Sequence, residues 1–248
     1  MTDALYHDPA LALFYDCEND WRDDLRFCQA LAQDKHAVLD LGCGTGLLAA
    51  SLAGVRDVYG VDPAEAMLDV ARGRAGGDRV TWVHADARDV RLGRRFDLIV
   101  MTGHAFQTLL TDQDQYAACL TMAAHLAPGG TFIFDSRNPA REEWREWTPE
   151  ASERSFVHPM LGRIRAWNDV RYDTATQVVT YGTFYEAGDG RRWQAHSPIR
   201  FASMTAIDAR LREAGLARQQ WLGDWNGKEF EEGDAEMIAI GSLAVRSA

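Results

Sequence analysis

The sequence predicts a doubly wound α/β fold, a mostly parallel sheet with helices on both faces and an antiparallel β meander inserted late in the chain. Three observations predict it. Short apolar strands alternate with helix-like segments from Ala37 to Asp135. The first strand runs straight into a glycine-rich turn, VLDLGCGTGLLAA (38–50). After Asp135 the texture changes to β-branched and aromatic runs separated by turn residues. Parallel strands need right-handed crossovers, and these lay helices on both faces of the sheet.

Each element has its own signal. Residues 1–20 carry aromatic and acidic side chains with weak periodicity. Residues 21–33 read as a helix with Leu25, Cys28, Leu31 and Ala32 on one face. A strand at 37–41 and a helix at 47–53 flank the glycines. A strand at 57–61 follows; Asp62 then caps a helix that Pro63 opens and that runs through Met67 and Val70. Residues 80–84 form a short strand, and 96–101 are apolar as in a strand buried on both faces. Residues 111–127 read as a helix stopped by Pro128-Gly129-Gly130, before a strand at 131–135. The runs 152–158, 163–172, 177–186 and 192–201, separated by HPMLG, DTAT and AGDG, have the spacing of an antiparallel meander. A helix at 205–214 ends at Gly215, and 217–222 and 237–245 are the last strands. The core is therefore expected at 1–136 and 204–248, with 137–203 inserted as a substrate-capping subdomain.

Bulk properties narrow the function. The chain has 248 residues, 46% of them hydrophobic, enough for a sizeable core. Its net charge is −11, with the acids scattered, which disfavours wholesale binding of a nucleic-acid backbone. Cys17, Cys28, Cys43 and Cys119 lie far apart, with the spacing of neither a zinc site nor a disulfide framework. No basic, then apolar, secretion signal opens the chain, and no apolar run reaches the ~18 residues of a membrane span. A reducing cytoplasm and no membrane partner are the expectation.

The glycine turn decides the ligand class. Gly42, Gly44 and Gly46 allow a tight turn and close approach of a ligand. A GxGxG turn alone is a weak signal, one residue away from the dinucleotide pattern GxGxxG. Three acids sharpen it. Asp40 precedes the glycines, where it can accept from an ammonium group and would repel a pyrophosphate. Asp62 ends the next strand and can accept both hydroxyls of a ribose. Asp86, in HADARD, can accept from an exocyclic adenine amine. An amino-acid ammonium, a ribose, an adenine and no phosphate are the parts of S-adenosyl-L-methionine.

On these residues the sequence resembles the class I S-adenosylmethionine-dependent methyltransferases. The motifs are VLDLGCGTG (38–46), YGVDPAEAM (59–67), HADARD (84–89), FDLIVMTGHAF (96–106) and LAPGGTFIFD (126–135), in consistent order. The resemblance implies a Rossmann-like seven-stranded sheet of order 3-2-1-4-5-7-6, with 237–245 as the antiparallel strand. It implies that Gly42, Cys43, Gly44 and Gly46 line the methionine and ribose, and that Asp62 takes the ribose hydroxyls. Pro63 and Met67 would pack near the adenine, and Asp86 and Ala87 would read its edge. Met101, Thr102, Gly103 and His104 would wall the methyl group. The stretch LALFYDCENDW (11–21) is similar to the lid of sugar N,N-dimethyltransferases, in which an aromatic at the position of Tyr15 reaches donor and acceptor.

The reaction expected is in-line methyl transfer to N or O of a small-molecule acceptor, with S-adenosyl-L-homocysteine as product. Alignment and exclusion of water are then the protein's main tasks. A neutral amine needs little help, whereas a hydroxyl needs a base, for which His196, His104 and Tyr15 are the candidates. No metal is expected. Edge strands of the meander could pair in a homodimer. Two other classes remain: a protein that binds the donor or its product without transfer, and an NAD-dependent enzyme, which GxGxG and Asp40 disfavour.

Overall fold

The computed structural model describes residues 3–245, so the outermost ends of the expected 1–136 and 204–248 segments lie outside it. Three helices open the chain: α1 (Ala4–His7), α2 (Pro9–Glu18) and α3 (Asp23–Leu31). Periodicity predicts only the third. The signal for α2 is its start: Asp8 accepts a hydrogen bond from the Ala10 amide, and Pro9 stands at the first helical position.

The alternating part follows as β1 (Ala37–Leu41), α4 (Leu47–Leu52), β2 (Asp57–Asp62), α5 (Glu65–Gly73), β3 (Thr81–His84), β4 (Phe96–Met101), α6 (Asp112–His125) and β5 (Leu126–Arg137). After α7 (Pro149–Ser152) come β6 (Arg154–His158), β7 (Gly162–Asp173), β8 (Val178–Ala187) and β9 (Arg192–Arg200). The chain closes with α8 (Met204–Glu213), β10 (Leu216–Leu222) and β11 (Glu236–Leu243). One sheet has seven strands in the order β10-β11-β5-β4-β1-β2-β3. All of its pairings are parallel except those of β11 with β5 and with β10. With the inserted strands set aside, this is the expected 3-2-1-4-5-7-6. The second sheet is the meander β6-β7-β8-β9.

Side-chain alternation divides the core between the sheet's two faces. Val38, Leu98, Val100 and Ile133 pack with Cys28 of α3 and with Leu48, Ala49 and Leu52 of α4. Their neighbours Leu39, Ile99, Phe132 and Phe134 pack with Cys119 and Met122 of α6 and with Ile207 and Leu211 of α8. β1 lies between β4 and β2, so the order of the sheet reverses there and the glycine turn leaves β1 at the switch point.

Two expected boundaries shift. α6 stops at His125, and Pro128-Gly129-Gly130 falls inside β5, where the register breaks between the Phe96–Leu126 and Leu98–Thr131 pairs. Gly129 takes a φ of 78° at this irregularity. α5 begins at Glu65 rather than Pro63. Asp62 is still the end of β2, and its Oδ1 accepts from the Ala64 amide two residues on, an Asx turn ahead of the helix rather than its cap.

Gly46 has a φ of 73°, and a Cβ there would lie 2.4 Å from the Trp82 ring and 2.8 Å from the Ala71 Cβ. Left-handed backbone and a steric clash then act together. Gly46→Ala should lower unfolding free energy by about 3 kcal/mol. Gly73→Ala, at the open end of α5, should raise it by about 0.5–1 kcal/mol. Urea unfolding of the two variants measures both.

Candidate active site

The tip of β2 holds the glycine turn in place. The Gly42 and Cys43 amides donate to the Val61 carbonyl at 2.7 and 3.0 Å. The Gly44 amide donates to Asp62 Oδ2 at 2.8 Å, and the Ala64 amide to Asp62 Oδ1 at 2.8 Å. Each carboxylate oxygen thus keeps a lone pair for another donor. Burial raises the Asp62 pKa, and the two amides oppose the rise. Asp40 lies beside Gly60 in the register of β1 and β2. It is buried, and burial followed by the charge of Asp62 pushes its pKa up to about 7.

These groups line one cavity of about 930 Å³. Asp40, Gly42, Cys43, Gly44, Asp62, Pro63, Met67, Asp86, Ala87, Met101, Thr102, Gly103, His104 and Tyr15 all face it. Gly46 does not: a Cβ there would run into Trp82 and Ala71, so the third glycine serves the bend and not the cavity wall. Burial holds the Cys43 thiol well above its ordinary pKa, so it stays protonated near neutrality. Asp86 is tied on both oxygens to Arg88, which also donates to Asp114 at 2.8 Å. That link lowers the pKa of Asp86 and keeps it ionised.

The roof comes from α2 and the meander. Three successive residues of α2 point three ways. Phe14 stacks on Tyr185 of β8, with ring centroids 4.4 Å apart. Tyr15 reaches down into the cavity: a Cβ on Gly44 would lie 4.0 Å from its ring, and one on Gly103 would lie 3.7 Å from its hydroxyl. Asp16 accepts from Thr45 Oγ1 at 2.6 Å and from Arg74 Nη2 at 2.5 Å. Tyr6 stands edge-on to Tyr15 at 6.3 Å, and its hydroxyl lies 3.1 Å from that of Tyr181. Trp147 stands edge-on to Tyr181 at 5.6 Å.

Comparison with known proteins bears on this cavity. Residues 38–130 match a family described as "Methyltransferase domain". The chain is 30% identical over 210 residues to a cypemycin N-terminal methyltransferase from Streptomyces sp, covering 84% of this chain and 83% of the relative. The chain belongs to the S-adenosylmethionine-dependent methyltransferases. A dTDP-3-amino-3,4,6-trideoxy-alpha-D-glucopyranose N,N-dimethyltransferase of Streptomyces venezuelae is 31% identical, with 77% of this chain and 80% of the relative covered. Among solved structures, the CcbJ methyltransferase of Streptomyces caelestis superposes with a TM-score of 0.78 at 23% identity, over 97% of this chain and 98% of that one. S-adenosylmethionine is the methyl donor of this enzyme class, and the expectation of a methyltransferase stands.

Two of the methyltransferase's expected bases need correction. His196 is exposed and does not face the cavity; Ala195 and Ser197 on either side of it are buried. Strand alternation therefore turns His196 to the outer face, where its ring meets Phe184 edge-on. Tyr15 does face the cavity, but burial, then the charges of Tyr181, Asp62 and Asp16, raise its pKa well above the usual phenol value. It stays protonated at neutral pH. His104 keeps its place on the wall in a left-handed conformation, φ 60°. Its amide donates to Asp135 Oδ1 at 3.0 Å, and its Nε2 lies 3.0 Å from Glu236 Oε2.

Sequence reasoning misses Asp135 and Glu236 as partners of His104, and it misses Glu18 and Arg154, which pair across the roof. Their positions lie far apart in the chain, and no short motif links them. Asp135 itself is buried, and burial, offset by His104, pushes its pKa up to about 6.

The bonds of Asp16 tie α2 to the core. Asp16→Ala should free this helix by about 1–2 kcal/mol of local opening. Faster hydrogen exchange confined to residues 9–18 is the expected result.

Proposed function

We propose that this methyltransferase methylates an amine nitrogen of a small acceptor by in-line transfer. The observation that carries the reading is the character of the cavity wall around Tyr15. Electron-rich phenol faces and ionised or ionisable carboxylates surround the space between Gly44 and Gly103. Bound there, the donor supplies an electrophilic methyl group on a positively charged sulfur. In transfer to an amine the positive charge moves to nitrogen and is not lost. Aromatic faces favour a cation at either end of that path. Transfer to a hydroxyl needs its proton removed to give an oxyanion, a negative charge that these carboxylates oppose.

The donor fits the residues present. Gly44 leaves its side of the turn open, and Asp62 keeps a free lone pair on each oxygen. On this reading Asp62 takes the ribose hydroxyls, and Asp86 and Ala87 take the adenine edge beside Pro63 and Met67. Asp40, Gly42 and Cys43 meet the amino-acid end, while Met101, Thr102 and Gly103 back the methyl. The relatives named for N-terminal and N,N-dimethyl transfer support nitrogen as the acceptor atom. A volume of about 930 Å³ suits donor and small acceptor together. His104, held by Glu236, is the group on this wall suited to take the proton released by the methylated amine. The inserted sheet acts as the substrate cap. Its edge strands β6 and β9 support a homodimer through the insertion. Free cysteines support a reducing compartment such as the cytoplasm.

A methyl-transfer assay with labelled donor separates the acceptor classes. A panel of primary and secondary amines should be methylated, and matched phenols and alcohols should not. Transfer to phenols alone would overturn the nitrogen reading.

Asp40 gives a pH test. Its folded pKa is raised, so its contribution to ligand-free stability is full below the unfolded value and is lost as pH rises through about 7. Donor affinity runs the other way, because ionised Asp40 attracts the cation. Calorimetry should find tighter S-adenosylmethionine binding at pH 8 than at pH 6. Asp40→Asn should flatten that dependence and weaken binding at pH 8 by about tenfold, roughly 1.4 kcal/mol.

A further inference from the structure

The far end of the cavity, away from the glycine turn, is built by α2 and the inner face of the meander. Glu18 closes α2 there. Its Oε2 accepts from the Tyr185 hydroxyl at 2.5 Å, and its Oε1 accepts from Arg154 Nε. Arg154 Nη1 donates to Asn168 Oδ1 at 2.8 Å and to the Ser152 carbonyl at 3.2 Å. Arg154 Nη2 has no hydrogen-bond partner among the described residues. Glu18, Arg154, Asn168, Thr183 and Tyr185 all line the cavity.

We propose that this end selects an acceptor with an uncharged, hydrogen-bonding tail, such as an amide or hydroxyl-bearing group, and rejects one carrying a phosphate or diphosphate. The inference rests on the reading that the cavity takes a methyl acceptor beside the donor. The charges at the far end carry it. Glu18 neutralises Arg154, and its side chain is only 15% exposed. Arg154 therefore offers N–H groups without net positive charge. A carbonyl or hydroxyl oxygen can accept from Nη2 and leave the pair intact. A phosphate would have to compete with Glu18 for the guanidinium and would strand a half-dry carboxylate beside it.

No other arginine in the cavity compensates. Nine carboxylates and four arginines line it, with no lysine. Arg88 is bound to Asp86 and Asp114, and Arg137 lies 3.6 Å from Glu143. Arg22 sits on the exposed rim and donates to the Glu18 carbonyl. Phosphate recognition needs cations or a cradle of amides aimed at the anion. The amides of the glycine turn at Gly42, Cys43 and Gly44 are already bonded to β2. This design differs from what a dTDP-sugar acceptor, the kind named for one relative, would require.

The test uses dTDP as the anionic probe and the full chain saturated with S-adenosylhomocysteine. Calorimetry should find no binding of dTDP to the wild-type protein up to millimolar concentration. Glu18→Gln keeps an acceptor for Tyr185 and releases the charge of Arg154. This variant should bind dTDP at least tenfold more tightly than wild type, and adding Arg154→Gln should abolish the gain. Micromolar binding of dTDP to wild type would overturn the proposal without any variant. So would a Glu18→Gln protein that melts normally, binds S-adenosylhomocysteine normally and gains nothing toward dTDP. Failure of the donor reading is a separate event, visible as no binding of S-adenosylhomocysteine in the first step.

Discussion

The bond from the Gly44 amide to Asp62 is the constraint on which the site depends. A turn of glycines has no side chains with which to hold its own shape. Here the last residues of β2 hold it, through the Val61 carbonyl and the Asp62 carboxylate. The same two oxygens point into the cavity with lone pairs to spare. On the proposed reading, fold and donor binding therefore share one group. The electrostatic consequence falls on the neighbouring strand. Two amides work to keep Asp62 ionised against burial, while Asp40 lies close by without comparable support and is pushed up to about 7. One of the paired acids is favoured at the expense of the other, as is expected of carboxylates that share a dry site.

A second constraint is the ten-residue helix α2. Consecutive helical residues diverge by ~100°, so Phe14, Tyr15 and Asp16 reach three different neighbours. Phe14 reaches the meander, Tyr15 the cavity and Asp16 the glycine turn itself, at Thr45. Glu18, one turn on from Phe14, returns to the meander through Tyr185 and Arg154. This short helix thus contacts the meander, the cavity and the glycine turn together.

How far the sequence discloses this depends on the range of each interaction. Asp40, Asp62 and the glycines lie within short windows, and local spacing is enough to bring them to adjacent strand tips. Strand order follows from alternation and the switch in texture after Asp135. Range explains the failures as well. His104, Asp135 and Glu236 meet only because β11 inserts beside β5, which no local pattern announces. Glu18 and Arg154 meet because a helix near the start of the chain and an edge strand of the insertion fold onto each other. His196 failed on parity: in QAHSP no hydrophobic alternation marks the inward face, and a shift of one residue reverses it. Gly46 failed differently, since its neighbour Trp82 comes from a strand 36 positions away.

The raised pKa of Tyr15 then acquires a chemical meaning. A carboxylate in contact with the acceptor would hold its nitrogen as an ammonium ion, with no lone pair to react. A neutral phenol does not. Burial keeps Tyr15, Tyr6 and Tyr181 protonated. Their rings present electron density to a cation without a formal negative charge to bind a proton. Of the formal charges, Asp62 is bonded to two amides and Glu18 is cancelled by Arg154. On the proposed reading, a neutral phenol leaves the nitrogen free to lose its proton before transfer and still favours the positive charge it carries afterwards. An acid placed where Tyr15 stands would strengthen binding of the amine and suppress its reaction.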